Sequence, residues 1–249
     1  MFVAASSRCF ADLPLDAALE RLVDLEFTAV ELMIHENGGH IKPSELARHF
    51  DQSLAACRNT RRLTPAALSV DIEAPESEAL EQFAACCRLA KAMRVVTITI
   101  RGSELGVPFN AEIERLRSMA DIAVRESIRL GLLTEVGRVS EDPDTAVVFC
   151  DHVKGLGITL DPSHFIFQRR EPVSYEPVLK HTIHVRLRDT TRDALAVRVG
   201  QGQVEYGRLV NQLGRFQYQR ALTVDIWPLP EVDQRSELRK MRLLLESLL

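Results

Sequence analysis

Eight short runs of apolar and β-branched residues recur along the chain, and most are followed by a longer stretch of helical composition. The runs are Phe2–Ser6, Ala29–His35, Ala66–Asp71, Val95–Arg101, Leu132–Val136, Ile158–Asp161, Ile183–Arg188 and Leu222–Trp227. Between them, Leu15–Leu25, Pro43–Arg61, Pro75–Ala92, Ala111–Leu130, Pro143–Lys154, Tyr206–Leu213 and Arg235–Leu248 carry helix-forming residues at helical period. Two helix starts are marked: Asp142-Pro143 pairs an N-cap with proline at the first helical position, and Asn110 is placed to cap a helix from Ala111. The sixth crossover, Phe165–His181, leaves room only for a short helix, because Pro172 and Pro177 interrupt it. Parallel strands need such crossovers, so an α/β fold follows, and eight repeats with short connections favour a (β/α)8 TIM barrel over an open doubly wound sheet. The 249 residues match the roughly 250 of one such barrel, and no Pro/Gly/Ser-rich linker divides them, so a single domain over 1–249 is expected.

Successive side chains of a strand point to opposite faces, so parity within each run separates a wall from a lumen. Val30, Leu32 and Ile34 alternate with Glu31, Met33 and His35; Val96, Ile98 and Ile100 alternate with Thr97, Thr99 and Arg101. Ser69 and Asp71, Glu135, Thr159 and Asp161, the series His184, Arg186 and Arg188, then Thr223 and Asp225 extend the polar parity. The threonines are expected as packing layers of the lumen. His35, Asp71, Arg101, Glu135, Asp161, Arg186 and Asp225 all fall at the same end of their strands, which predicts one polar mouth at the C-terminal face.

Composition narrows the function classes. A net charge of −4 with 6% aromatic residues lacks the basic, stacking footprint of a nucleic-acid binder. No apolar run approaches the ~18 residues of a membrane span, and the start MFVAASSRCFADLP has no basic region before a long apolar one, so a cytoplasmic location is expected. The five cysteines, Cys9, Cys57, Cys86, Cys87 and Cys150, show no C-x-x-C spacing and read as free thiols in a reducing compartment. A small-molecule partner remains, and self-association into a homo-oligomer stays open.

Glu135 in LLTEVGR, Asp161 and His164 in LDPSHF, the strand IHVRLRD, the glycine-bearing VRVGQGQVEYGRLVNQL and LTVDIW, in that order, resemble the xylose isomerase-like TIM barrels. That superfamily includes sugar-phosphate isomerases and epimerases, hydroxypyruvate isomerases and endonuclease IV. The resemblance covers most of the chain and implies carbohydrate metabolism: an isomerase or epimerase acting on a small polyhydroxy carbonyl compound. It also implies a divalent metal (Mn²⁺, Mg²⁺ or Zn²⁺) at the mouth, held by a Glu after strand five, an Asp after strand six, a His in strand seven and a Glu after strand eight. Glu135 and Asp161 match the first two positions. Asp225 stands where the family has its last Glu, His184 matches the first His of the family's H-x-H-x-K-D, and Arg186 stands where the ligating His is expected. His164 matches a position that contacts substrate or a further metal.

Arginine has no lone pair to give a metal, which leaves two versions of the site. In one, Glu135, Asp161, Asp225 and His164 bind the ion and Arg186 turns to the substrate. In the other, Arg186 pairs with Glu135 or Asp225, and Arg101, Arg186 and Arg188 form a metal-free mouth for a sugar, a sugar acid or a phosphate, catalytic or purely binding. A metal-dependent hydrolase like endonuclease IV is the third class, weakened because His35 is the lone histidine on the early strands. The resemblance assigns proton transfer to Glu135 and Asp225, while substrate contacts are expected of His35, Arg101, His164, His184, Arg186 and Arg188 around the same mouth. Gly38, Gly39 and His40 are expected in a plain loop or a mobile flap after strand two. Trp227 suits a pocket wall as well as a core position, and Gly200 and Gly202 suit a turn.

Overall fold

The computed structural model describes residues 1–171 and 173–249. Eight parallel strands close into a barrel in sequence order. They are β1 (Phe2–Ser6), β2 (Ala29–His35), β3 (Thr64–Asp71), β4 (Thr97–Ile100), β5 (Arg129–Leu133), β6 (Leu156–Leu160), β7 (Thr182–Leu187) and β8 (Ala221–Val224). β8 closes on β1 with Phe2 opposite Ala221 and Ala5 opposite Val224. The helices outside are α1 (Leu15–Asp24), α2 (Pro43–Arg48), α3 (Phe50–Arg58), α4 (Glu76–Ala92), α5 (Phe109–Arg125), α6 (Pro143–His152), α7 (Tyr206–Arg215) and α8 (Gln234–Glu246).

The parity expectation is met except at Val96, which precedes β4 and is exposed. Val30, Leu32, Ile34, Ile98 and Ile100 join the main core between strands and helices, while Ala4, Ala29 and Ala221 pack in a separate small cluster. Above these alanines Thr99 and Thr159 share a hydrogen bond of 2.8 Å between β4 and β6. The lumen there is full: a Cβ on Gly131 of β5 would collide with the Thr159 hydroxyl. The barrel is thus a packed floor under the mouth.

Several local expectations change, and β8 ends at Val224, three residues before the expected Trp227. β5 begins and ends three residues earlier than its apolar run suggested, so Glu135 stands two residues past the strand end. Ladder pairing of Arg129 and Gly131 with Thr97 and Thr99 overrides their poor strand propensity. The helix expected over Pro43–Arg61 breaks at His49, whose φ of −130° and ψ of 53° cannot continue a helix. Asn110 lies inside α5, which starts at Phe109 behind Pro108, whereas Asp142 caps α6 as expected, accepting from the Thr145 backbone N–H at 2.8 Å. Among its described residues the sixth crossover contains only 3₁₀ turns, Pro162–Phe165 and Glu176–His181, with Pro177 in the first turn of the second; Pro172 lies outside the described residues.

Loops are tied down around the mouth. His40 lies 3.2 Å from both the Ser7 hydroxyl and the Phe10 carbonyl, so the segment after β2 is a fastened loop and not a free flap. Asp189 accepts backbone N–H bonds from Thr190, Gly200 and Gly202, folding the segment after β7 back over the mouth, where Leu195 becomes a cavity wall. Gly200 has φ +88°, and any Cβ on Gly202 would fall on the Asp189 carboxylate, so both glycines are required by this fold-back. All five cysteines are free thiols, and no described helix is long and apolar enough to cross a membrane.

Candidate active site

The C-terminal ends of the strands surround a cavity of about 380 Å³. Barrel order sorts its charged walls. Arg8 after β1, Arg186 on β7, Arg188 just after it and Trp227 after β8 form one arc. Asp71 of β3, Arg101 after β4 and Glu135 after β5 form the opposite arc, with His35 of β2 and His164 after β6 between them.

Arg186 pairs with neither carboxylate expected for it. Its Nε and Nη2 donate to Glu31 of β2 at 3.0 and 2.7 Å across the lumen. Glu31 is 0% exposed. Burial alone would raise its pKa, but the Arg186 charge and the nearby His184 outweigh burial and hold it far below the usual carboxylate range. His184, expected to touch substrate, lies in this buried layer. Its Nε2 is 3.3 Å from Glu31 and 3.3 Å from the Thr223 hydroxyl, and it does not line the mouth.

Arg188 bridges two carboxylates from one nitrogen: Nη2 donates to Asp161 at 2.6 Å and to Asp225 at 2.9 Å. Arg8 adds a longer contact of 3.4 Å to the same Asp225 oxygen. Asp225 is only 1% exposed and lies behind these arginines, so the placement expected of a proton-transfer group on the substrate is not found. Burial opposes its ionisation, yet Arg188, Arg8 and Arg186 together hold its pKa low. Both Arg8 and Arg188 stack on Trp227, at 4.9 and 4.3 Å from the ring centroid, which makes Trp227 a wall of the pocket.

On the other arc Arg101 grips Glu135 as a fork, 2.9 Å from Nε and 2.6 Å from Nη2, and reaches Asp71 at 3.2 Å. Glu135 is desolvated, but the Arg101 hydrogen bonds and charge keep its pKa below the ordinary value. The fork is positioned from behind: Arg115 Nη2 donates to the Arg101 carbonyl at 3.1 Å, and the buried Glu112 accepts from Arg115 and from the Ser103 backbone N–H.

The histidines of the mouth are held neutral. Burial lowers the His164 pKa, with Asp161 opposing, and the Val136 backbone N–H donates to His164 Nδ1 at 3.2 Å. A neutral ring carries one proton, so it resides on Nε2, which lies 3.7 Å from Asp161 Oδ2 in a ring that lines the cavity. His35 shares a 2.7 Å hydrogen bond with Ser69, and burial lowers its pKa to about 4, with Asp71 opposing. Between pH ~6.5, where an unfolded histidine titrates, and about 4, the unfolded chain therefore binds more protons at His35, and stability falls as pH drops through that window. The loss expected from His35 is on the order of 3 kcal/mol, with Glu31, Glu135 and Asp225 adding in the same direction at lower pH. Urea unfolding from pH 7 to 4 checks this; His35→Asn should flatten the slope, and an unchanged slope counts against the assignment.

These donors do not fit the divalent ion implied by the resemblance. Asp161 and Asp225 are already neutralised by Arg188, Glu135 is forked by Arg101, and the His164 Nδ1 lone pair is taken by a backbone N–H. Among the described residues no group of three or more His, Cys, Asp and Glu side chains could hold a metal ion. The expected ligand set of Glu135, Asp161, Asp225 and His164 is thus replaced by ion pairs, with guanidinium supplying the compensating charge.

Glu31 and Arg8 were not singled out from sequence. Glu31 left a trace, since a carboxylate in mid-strand on the lumen parity demands a cation. Arg8, in a 3₁₀ turn outside any strand, left none.

Known proteins share this architecture. The D-tagatose 3-epimerase-like protein superposes with a TM-score of 0.77 at 16% identity over 100% of this chain and 98% of its own. A xylose isomerase-like TIM barrel protein from Mycobacterium smegmatis, solved in complex with magnesium, gives 0.79 at 17% identity, covering 99% and 97%. The 3-keto-D-glucoside 4-epimerase YcjR from E. coli gives 0.75 at 15% identity, covering 99% of each. At these identities the likeness carries the fold, and among curated proteins there is no match. The family described as xylose isomerase-like TIM barrel matches residues 19–244, and the chain belongs to that family.

Proposed function

We propose that the mouth isomerises a small polyhydroxy carbonyl compound by moving a proton between neighbouring carbons, with Glu135 carrying the proton and arginine and histidine donors in place of a divalent ion. The observation that carries this reading is the pairing of an ionised, cavity-facing carboxylate with donors on other arcs of the same small cavity. The Arg101 fork takes one lone pair from each Glu135 oxygen and leaves another on each, so the carboxylate can still accept a proton. A carboxylate held at low pKa is a modest base, and the substrate must therefore be acidified by stabilising its enediolate oxygen. His164 Nε2–H and Arg186, whose protein bonds all leave from Nε and Nη2, are the donors suited to that oxygen.

In the step, the C–H bond beside the carbonyl breaks, its proton passes to Glu135, and its electrons form the enediolate. The proton returns to the former carbonyl carbon while the neighbouring hydroxyl proton moves to the other oxygen. One base on one face suffices for this exchange. Epimerisation through two opposed bases is less well supported, because Asp71 and Glu135 share an arc and Asp225 is sequestered. The epimerase names of two structural neighbours agree with the broader reaction class.

Incubating D-tagatose, D-psicose and D-fructose with the protein in deuterated water containing a chelator tests this. Deuterium is expected to enter the carbons beside the carbonyl, unaffected by the chelator, and Glu135→Gln should slow it by about 100-fold or more. Exchange that survives Glu135→Gln removes the assignment. A second reading, a binding barrel without turnover, is favoured by the ion pairs that hold Glu135 and Asp71, and binding without exchange would select it.

A further inference from the structure

Three arginines from adjacent parts of the barrel, Arg8, Arg186 and Arg188, turn toward the cavity, while the carboxylates that balance them do not line it. Glu31, Asp161 and Asp225 are all essentially inaccessible. The three positive and three negative charges cancel at a distance, so the arc exerts little long-range pull. At contact range the arrangement is directional. A guanidinium donates and cannot accept, so whatever rests on this arc must supply acceptors.

We propose that Arg8 and Arg188, braced on Trp227 and flanked by Arg186, form a subsite for the oxyanionic end, carboxylate or phosphate, of the polyhydroxy ligand. Three observations converge on it. Both protein bonds of Arg188 leave from Nη2, and its Nε is buried with no acceptor among the described residues. Arg8 makes a single 3.4 Å contact through Nη1, with its side chain 37% exposed beside the cavity. Both guanidinium groups rest over the Trp227 ring, at 4.9 and 4.3 Å from its centroid, a contact that reduces the rotamer freedom lost on binding. The cavity of about 380 Å³ holds a molecule of sugar size, with its anionic end on this arc and its hydroxyls toward Asp71 and Glu135.

This subsite deepens the isomerase reading by naming the charge of its substrate, and it is testable apart from turnover. Calorimetric titration with three polyols differing only at C1 separates the possibilities: D-glucitol, D-gluconate and D-glucitol 1-phosphate. At least one of the two anions should bind about 10-fold or more tightly than D-glucitol, and the tighter of the two identifies a carboxylate or a phosphate as the fitting group. Arg8→Gln leaves Asp225 paired with Arg188, so the fold should persist; this variant should weaken the favoured anion about 10-fold and leave D-glucitol unchanged. Equal binding of all three polyols, binding of none, or an equal loss for neutral and anionic ligands in Arg8→Gln overturns the subsite. Anion preference without deuterium exchange keeps the subsite and removes the isomerase reading. Exchange on a neutral ketose that D-gluconate and D-glucitol 1-phosphate fail to inhibit does the reverse.

Discussion

Arg186→Met is expected to destabilise the protein by about 3–5 kcal/mol, measured by urea unfolding at neutral pH. The variant leaves Glu31 with no exposed surface and without the charge that keeps it ionised. Much of the loss is the cost of a buried charge left alone and not the net worth of the pair, so removing both charges should recover most of it. Glu31→Gln combined with Arg186→Met is therefore expected to be more stable than Arg186→Met alone. Because the carboxyl of the single variant can escape by taking up a proton, its deficit should also shrink at lower pH. A deficit below about 1 kcal/mol, the range of an exposed ion pair, would contradict the buried pairing.

Arg188→Met should be comparably damaging, by about 3–5 kcal/mol, because one guanidinium nitrogen serves Asp161 and Asp225 together. Its second consequence is more diagnostic. Without Arg188 the two carboxylates face each other beside His164, and an arrangement closed to divalent ions becomes open to one. A divalent ion at about a hundred times its Kd would return about 2.7 kcal/mol to the folded state. Titrating Mn²⁺ or Mg²⁺ into thermal unfolding should therefore raise the midpoint of Arg188→Met and leave the unsubstituted protein unmoved. Stabilisation of the unsubstituted protein would show that its donors do accept a metal. No response in either protein would show that the arginine does not occupy a metal's place.

Much of the architecture was legible because it rests on local chemistry. The alternation of Val30, Leu32 and Ile34 with Glu31, Met33 and His35 is a property of the extended chain itself, and it forecast both the strand and its two faces. The same parity placed Arg101, Arg186 and His35 at one mouth, where the structure has them. Boundaries were read less well where partners outvoted propensity. β5 starts at Arg129 because its backbone pairs with Thr97, a condition that a run of five residues cannot reveal.

Site chemistry divides along the same line. That a barrel mouth would gather acidic and basic side chains, and that position 186 could not ligate a metal, followed from residue type and strand position alone. Which acid each arginine meets could not follow, because Arg186 reaches Glu31 across 155 residues of sequence and Arg188 reaches Asp225 across 37. Pairing depends on ångström-scale depth within the lumen: Arg186 is at the buried layer of Glu31 and His184, while Arg188, two residues on, meets the Asp161 and Asp225 layer. The sequence by itself determined the barrel and the kinds of charge at its mouth, since side-chain alternation and residue chemistry act within a few residues. Only the tertiary structure decided that guanidinium groups face the cavity with most of their carboxylates behind them, because that order is set by closure of the sheet, which brings β7, β8 and β1 side by side.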